Sequence, residues 1–216
     1  MDYSKPTLLV ISGPNCAGKS THIQEMLPED MAGIWSFDRD NTRTQFELEL
    51  DAKGVQHQLL TKQATDMMEK VLIQQMKYSI QKRSHFVLET PLSHPDYWRY
   101  IDLFESTGYQ IQLNYLCLDK VGDCIARVDQ RVLEGGHFVQ PNTIKGVFIK
   151  NLEHINAYFK TFQVIELYDG MKIPTLLARF EHDEVKTAFP LALEKKWIKK
   201  GMPHFSRKIE VYLREK

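Results

Sequence analysis

Short apolar runs alternate with amphipathic segments along this 216-residue chain. The first run, TLLVIS at residues 7–12, has no alternation of polar and apolar positions, which is typical of a strand buried on both faces of a parallel sheet. Between residues 52 and 82, apolar side chains recur at spacings of three and four, which predicts a long helix. Strands are predicted at residues 7–12, 33–37, 85–89, 111–118 and 163–167, and helices at residues 19–27, 52–82, 94–107, 119–134 and from 141 onward.

This order of strands and helices predicts an α/β fold with a mostly parallel, five-stranded sheet. Residues 175–180 and 185–189 predict a further hairpin at one edge of the sheet. We expect one domain over residues 1–216, ending in a solvated basic tail at residues 193–216. Ligands of such sheets bind at the carboxyl ends of the strands, so the residues after each strand are the candidates for chemistry.

Composition narrows the class of protein. The 28 basic and 28 acidic side chains cancel, so no overall field draws the chain to nucleic acid or to anionic lipid. Three cysteines are too few for a disulfide framework and indicate reduced thiols. No apolar run approaches the roughly 18 residues of a membrane span. We therefore expect a cytoplasmic protein, without membrane or nucleic-acid partners, whose anion site is local.

A phosphate-binding loop follows the first predicted strand. The segment from Gly13 to Thr21 fits the pattern G-x-x-x-x-G-K-[ST]. In this pattern the backbone N–H groups and the following helix N-terminus face the phosphates of a nucleotide. Lys19 is expected to reach the β- and γ-phosphates, and the Ser20 hydroxyl to bind Mg²⁺. The predicted nucleotide-binding residues are Gly13, Pro14, Asn15, Cys16, Ala17, Gly18, Lys19, Ser20 and Thr21.

Charged side chains follow the second and third predicted strands. A kinase needs a carboxylate that accepts the proton of the attacking hydroxyl, and Asp40 is the first choice for this base, with Asp38 the second. Arg43 is predicted to clamp phosphates of the substrate. At the end of the third strand, Glu89 with Thr90 is predicted to hold the water shell of Mg²⁺ or a substrate hydroxyl.

Two arginines stand out in the helix predicted from residue 119. Arg127 and Arg131 lie one turn apart on the flank of its apolar stripe, and they repel unless an anion or a carboxylate lies between them. This spacing predicts a lid over residues 127–150 whose arginines neutralise a phosphoryl group during transfer. A solvated helix face is the alternative. Gly135-Gly136 would supply the hinge, and His137 is a candidate substrate contact.

Together these segments resemble the zeta-toxin-like P-loop kinases. The similar segments are GPNCAGKST from Gly13, D-x-x-R at Asp40–Arg43, FVLET from Phe86, and ARVDQRVLEGGHFVQPNTI from Ala126. The resemblance covers residues 7–170 and implies a three-layer P-loop NTPase fold. It implies a kinase that uses ATP and Mg²⁺, with Asp40 as base and Arg127 and Arg131 assisting transfer. The implied acceptor is a small molecule, with the amino-sugar hydroxyl of UDP-N-acetylglucosamine as a lead, and the implied partner is a small helical antitoxin.

Two other functions stay open on the sequence. Kinases of polynucleotide 5′-hydroxyl ends also join a phosphate loop to an R-D-x-x-R segment, which residues 39–43 fit, although the neutral charge argues against a nucleic-acid partner. The third possibility is a catalytically silent NTP-binding regulatory protein. It is suggested by Cys16 and Val147, which stand where the family usually carries glycine and often carries arginine.

Overall fold

The protein is built on one seven-stranded sheet with the strand order β2-β3-β1-β4-β5-β6-β7. Its structure is a computed structural model that describes residues 1–15, 17–134 and 138–216. The five predicted parallel strands are confirmed, and the predicted hairpin joins the same sheet through antiparallel pairs, so the sheet has seven strands rather than five. The strands are β1 (Thr7–Ser12), β2 (Ser36–Asp38), β3 (Phe86–Glu89), β4 (Gln110–Cys117), β5 (Val164–Asp169), β6 (Thr175–Glu181) and β7 (Glu184–Ala188).

Helices connect the strands, and one large hydrophobic cluster runs from β1 to the last helix, with a smaller cluster between α2 and α3. Every residue of β1 is buried, as expected for a central strand between two layers. No helix in the described ranges is both long and apolar enough to span a membrane. The helices are α1 (Lys19–His22), α2 (Arg39–Ala52), α3 (His57–Lys82), α4 (Trp98–Ser106), α5 (Val121–Leu133), α6 (Pro141–Ala157), α7 (Lys196–Gly201) and α8 (Pro203–Arg214).

Several predicted helix bounds were wrong. The helix expected over residues 52–82 is preceded by a separate helix, α2, which the apolar pattern missed because only Arg39 and Leu50 of its 14 residues are buried. The predicted helix over residues 19–27 continues from α1 as a 3₁₀ turn at Ile23–Met26. The helix predicted over residues 119–134 is α5, which begins at Val121 with Lys120 as its N-cap residue and ends at Leu133.

The basic tail is not solvated, which corrects the expectation for residues 193–216. Trp197 and Ile198 of α7 and Phe205 and Ile209 of α8 are buried in the main cluster. The charge pattern was misleading because the lysines and the apolar side chains occupy different faces of the same short helices. We call residues 175–214, from β6 to α8, the C-terminal unit.

The sheet brings the predicted site residues to one edge. Asp38 ends β2 and Glu89 ends β3, and the two are register partners in a parallel pair. Ile11 of β1 pairs with Glu89 in turn, so the phosphate loop starts beside both carboxylates. Since carboxyl ends of parallel strands meet at a common edge, the chemistry predicted from separate segments shares one location.

Candidate active site

A cleft of about 1180 Å³ opens at the carboxyl edge of the parallel strands. One wall is formed by the phosphate loop and the start of α2, and the opposite wall by α5, α6 and the loop after β5. Most of the predicted site residues that the structure describes line this cleft. They are Gly13, Asn15, Gly18, Lys19, Ser20, Thr21, Asp38, Asp40, Arg43, Glu89, Thr90, Arg127 and Arg131.

The phosphate loop curls tightly against the end of β4. A Cβ atom at Gly13 would lie 2.0 Å from the carbonyl oxygen of Leu116, so no other residue fits there. The Lys19 ammonium folds back over the loop and donates to the carbonyl oxygens of Gly13 at 3.2 Å and Pro14 at 3.0 Å. Ala17 and Pro14 are buried beneath the cleft. The prediction for Cys16 falls outside the described residues.

Ser20 faces two carboxylates. Its Oγ lies 3.0 Å from Asp38 Oδ2, and 3.0 and 2.9 Å from the two carboxylate oxygens of Glu89. One hydroxyl proton can satisfy one of these acceptors at a time, so this corner has more acceptors than donors. A hydroxyl and two carboxylates are the oxygen ligands that Mg²⁺ prefers, commonly together with phosphate oxygens of a substrate. The donor set therefore fits the predicted cation.

The described residues do not complete a metal centre at this corner. Across residues 1–15, 17–134 and 138–216, no group of three or more histidine, cysteine, aspartate or glutamate side chains is placed to hold a metal. A cation beside Ser20 would thus take further ligands from phosphate or water.

Burial raises the pKa of Glu89 to about 7, with the Lys19 ammonium opposing this rise and the Asp38 carboxylate adding to it.

Asp40 and Asp38 take different positions although they are two residues apart. Asp38 caps α2 by accepting from the Asn41 N–H at 2.9 Å, and it contacts Ser20. The Asp40 side chain is 68% exposed, lines the cleft, and lies 3.8 Å from the Arg43 guanidinium. Asp40 is therefore open to a molecule entering the cleft, whereas Asp38 is engaged by Ser20 and by the N-terminus of α2.

Arg39, between these two aspartates, was missed as a site residue. It is only 8% exposed, and its Nη2 donates to Glu69 of α3 at 2.7 Å. Its guanidinium also lies over the rings of Tyr97 and Tyr100, 4.6 and 5.1 Å from their centroids. Arg39 thus fixes the start of α2, with Asp38 as its N-cap residue and Asp40 in its first turn. Its guanidinium is engaged inside the protein, whereas an arginine that binds a nucleic-acid strand would project into solvent.

Both arginines of α5, Arg127 and Arg131, line the cleft. Arg127 donates to the carbonyl oxygens of Gly170 at 3.0 Å and Met171 at 2.7 Å, which ties α5 to the loop after β5. Arg131 lines the cleft one turn further on, and Val147 lines it from α6. The predicted hinge and His137 fall within residues 135–137, outside the described residues.

Gly170 is a second residue that the sequence reading missed. A Cβ atom there would lie 2.8 Å from the Ala17 carbonyl oxygen and 3.0 Å from Cγ of Leu116. The loop after β5 therefore packs directly on the phosphate loop. The available signal was its position: a glycine immediately after the last parallel strand, at the ligand-binding edge.

The family model of Zeta toxin matches residues 1–173. This chain belongs to the zeta toxin family. The family match confirms the resemblance read from the motifs and ends just before the C-terminal unit. No curated protein matches the chain.

Solved structures agree with the zeta toxin fold. The chain is similar to the PezAT chromosomal toxin–antitoxin system of Streptococcus pneumoniae, with a TM-score of 0.58, 16% identity, and coverage of 95% of this chain and 88% of that one. It is also similar to the AvrRxo1-ORF1:AvrRxo1-ORF2 complex solved with sulphate ions, with a TM-score of 0.63, 16% identity and 88% coverage. This zeta toxin chain spans 63% of the matched AvrRxo1 chain.

A candidate kinase from Chloroflexus aurantiacus matches with a TM-score of 0.50 and 15% identity, covering 66% of this chain and 75% of that one. At these identities the likeness shows the α/β fold with its mostly parallel sheet.

Proposed function

We propose that this zeta toxin family member transfers the γ-phosphate of ATP, with Mg²⁺, to a hydroxyl group of a small molecule. The observation that carries the proposal is the convergence of Lys19, the Ser20–Asp38–Glu89 corner and the exposed Asp40 on one cleft. The cleft volume of about 1180 Å³ exceeds the roughly 300–1,000 Å³ of a usual single-ligand pocket, which supports room for two substrates. A structure of the AvrRxo1-ORF1:-ORF2 pair contains ATP, which supports the choice of nucleotide.

Bound ATP would supply the transferable phosphoryl group, and Mg²⁺ held beside Ser20 would neutralise charge on its phosphate oxygens. The loop of residues 13–21 binds the phosphates through its backbone N–H groups and Lys19. Ser20, Asp38 and Glu89 form the side of the cleft that fits the cation.

Asp40, which lines the same cleft as the phosphate loop, orients the acceptor hydroxyl for in-line attack. As the acceptor oxygen bonds to the γ-phosphorus, the bond from that phosphorus to the β,γ-bridging oxygen breaks and ADP leaves, while the hydroxyl proton passes to a carboxylate oxygen of Asp40. Arg127 and Arg131, in the proposed lid over residues 127–150, stabilise the charge on the group in transit. Arg43, 3.8 Å from Asp40, is placed to bind an anionic part of the acceptor.

For the acceptor we propose a UDP-N-acetyl amino sugar, on the strength of the family. A small helical antitoxin is the proposed partner, since the PezAT neighbour is a toxin–antitoxin system. We further propose that residues 1–216 act as one domain in the cytoplasm.

The test incubates the protein with ATP, Mg²⁺ and UDP-N-acetylglucosamine and detects a phosphorylated product by mass spectrometry. Asp40→Asn is expected to lower kcat by about 10²–10⁴-fold while ATP affinity stays nearly unchanged. Asp66→Asn, on the exposed surface of α3, is the matched control and should retain the native rate.

The other outcomes separate the parts of the proposal. A native rate for Asp40→Asn would exclude Asp40 as the base and move the test to Asp38. Bound ATP without product would exclude this acceptor, and a metabolite extract would be screened next. Bound ATP without transfer to any acceptor would favour the silent regulatory protein.

A further inference from the structure

Lys195, in the segment between β7 and α7, is a buried cation that reaches the ligand-binding edge of the sheet. It is 8% exposed, and its Nζ lies 2.8 Å from Asp119 Oδ1 and 2.7 Å from Asp169 Oδ2. Asp119 follows β4 and Asp169 ends β5. A buried ammonium is costly unless it is paired, so both carboxylates are needed where they are.

The ion pair of Lys195 with Asp169, followed by hydrogen bonds, leads into the cleft. The second oxygen of Asp169, Oδ1, accepts from the Met171 N–H at 3.2 Å. The carbonyl oxygens of Met171 and of Gly170 then accept from the two Nη atoms of Arg127. Each link is a direct contact between described residues, and the last link is a proposed transfer arginine.

The loop at the centre of this network has little freedom to move by itself. Gly170 donates its N–H to the Cys117 carbonyl oxygen at 2.9 Å, which pins the loop to the end of β4. It also approaches the Ala17 carbonyl oxygen so closely that a Cβ atom would lie 2.8 Å away. A shift of the loop therefore displaces both the phosphate loop and the acceptors of Arg127.

We propose that Lys195 is a positioning residue for the nucleotide: by holding Asp169, it fixes the loop that orients the Arg127 guanidinium in the cleft. Without the ammonium, Asp119 and Asp169 repel each other, and the loop between Asp169 and Met171 loses one of the contacts that hold it. This inference rests on the proposed function. It gives the C-terminal unit, which lies beyond the family match, a role in binding ATP.

The test measures Mg²⁺-ATP affinity of the full chain by calorimetry and Tm by thermal unfolding. Lys195→Met is expected to weaken ATP binding by about 2- to 30-fold, and Lys195→Arg to restore part of it. Lys196→Met, at the exposed neighbouring position, is the control and should bind ATP as the native protein does. Native affinity in a folded Lys195→Met variant would overturn the inference.

A double variant separates positioning from a general structural role. In an Arg127→Ala background, Lys195→Met is expected to cause a smaller loss of ATP affinity than in the native protein, because the route through Arg127 is already gone, although its effect on Tm persists. An equal loss of affinity in both backgrounds would overturn the inference. No ATP binding by the native protein would instead refute the proposed function, so the two failures are distinguishable.

The two carboxylates provide a second comparison should Lys195→Met fail to fold. Asp169→Asn and Asp119→Asn each remove one of the two carboxylate charges paired with Lys195. Of these two aspartates, Asp169 also accepts a hydrogen bond from the Met171 N–H. Asp169→Asn is therefore expected to weaken ATP binding more than Asp119→Asn. Equal losses, or the reverse order, would overturn the inference.

Discussion

The edge of the sheet that carries the phosphate loop and the C-terminal unit differ in what they contribute to the protein. The first supplies the candidate site, and the second supplies part of the hydrophobic core. The edge concentrates polar groups in nine consecutive residues, 13–21, and in the residues that end β2 and β3. The C-terminal unit carries no such motif and inserts whole aromatic and aliphatic side chains into the core. A bound phosphate constrains a short stretch of chain and so leaves a local signature, whereas packing constrains residues that are distant in sequence.

The largest effect is expected for a substitution in the core of the C-terminal unit, which should lower the free energy of unfolding. Phe205 of α8 is fully buried, with its ring edge-on to Phe180 of β6 at 4.9 Å between centroids. Phe205→Ala is expected to lower the free energy of unfolding by about 3–5 kcal/mol, because it removes buried surface and leaves a cavity. Urea unfolding measures this loss. At temperatures where the variant is folded, ATP affinity should stay near the native value.

Val211→Ala is the matched control on the same helix. Val211 is 52% exposed, so its truncation should change the free energy of unfolding by less than about 0.5 kcal/mol. A comparable loss at both positions would mean that α8 does not pack through the face that carries Phe205.

Lys19→Ala is expected to act on chemistry instead. It removes a cation from the phosphate site and should lower kcat by on the order of 10²–10³-fold, with weaker ATP binding as well. Steady-state phosphate transfer and calorimetry measure the two effects. Lys70→Ala, on the exposed surface of α3, should leave both unchanged. A fall in Tm as large as that of Phe205→Ala would erase the contrast between the two regions.

Gly170→Ala tests the contact between the loop after β5 and the phosphate loop. The added Cβ would press on the Ala17 carbonyl oxygen and on Leu116, at a cost of about 1–3 kcal/mol in stability. Because Ala17 belongs to the phosphate loop, ATP affinity should fall too. Gly146→Ala, in an open position of α6, is the control and should be neutral or slightly stabilising. Native ATP affinity in Gly170→Ala would show that the two loops do not influence each other.

The parallel strands and the phosphate loop could be predicted from the sequence because each leaves a pattern within a short stretch of the chain. Uninterrupted apolar runs marked the buried strands, and the glycine spacing marked the loop. The α2 helix escaped prediction because it buries little, so its pattern lacks an apolar stripe.

The remaining site residues depend on partners far along the chain. Arg39 acquires its role from Glu69 and two tyrosines, and Lys195 from Asp119 and Asp169. A lysine among several lysines has the same local sequence whether it is solvated or buried. Its function becomes visible when the sheet places strand-end carboxylates beside it.

The smallest expected effect concerns an ion cluster within the C-terminal unit. Asp183, in the turn between β6 and β7, lies 2.6 Å from His204 Nε2 and 2.7 Å from Lys208 Nζ. Burial alone would raise the pKa of Asp183, but the hydrogen bonds from Lys208 and His204 outweigh it and hold the pKa below its ordinary value. The cluster thus stabilises the fold above the unfolded-state pKa of about 4 and stops doing so as the pH falls through the lower folded value.

Asp183→Asn is therefore expected to lower the free energy of unfolding by about 0.2–1 kcal/mol at pH 7, with the difference from the native protein vanishing in acid. Urea unfolding at several pH values between neutrality and acid measures it. Asp66→Asn, an exposed carboxylate on α3, should show no comparable dependence on pH. A difference that persists unchanged in acid would mean that Asp183 acts through the shape of the turn rather than through its charge. The anchoring of α8 to the hairpin would then rest on packing around Phe205 and on hydrogen bonds to the backbone, such as that from Tyr212 Oη to the Lys186 carbonyl oxygen.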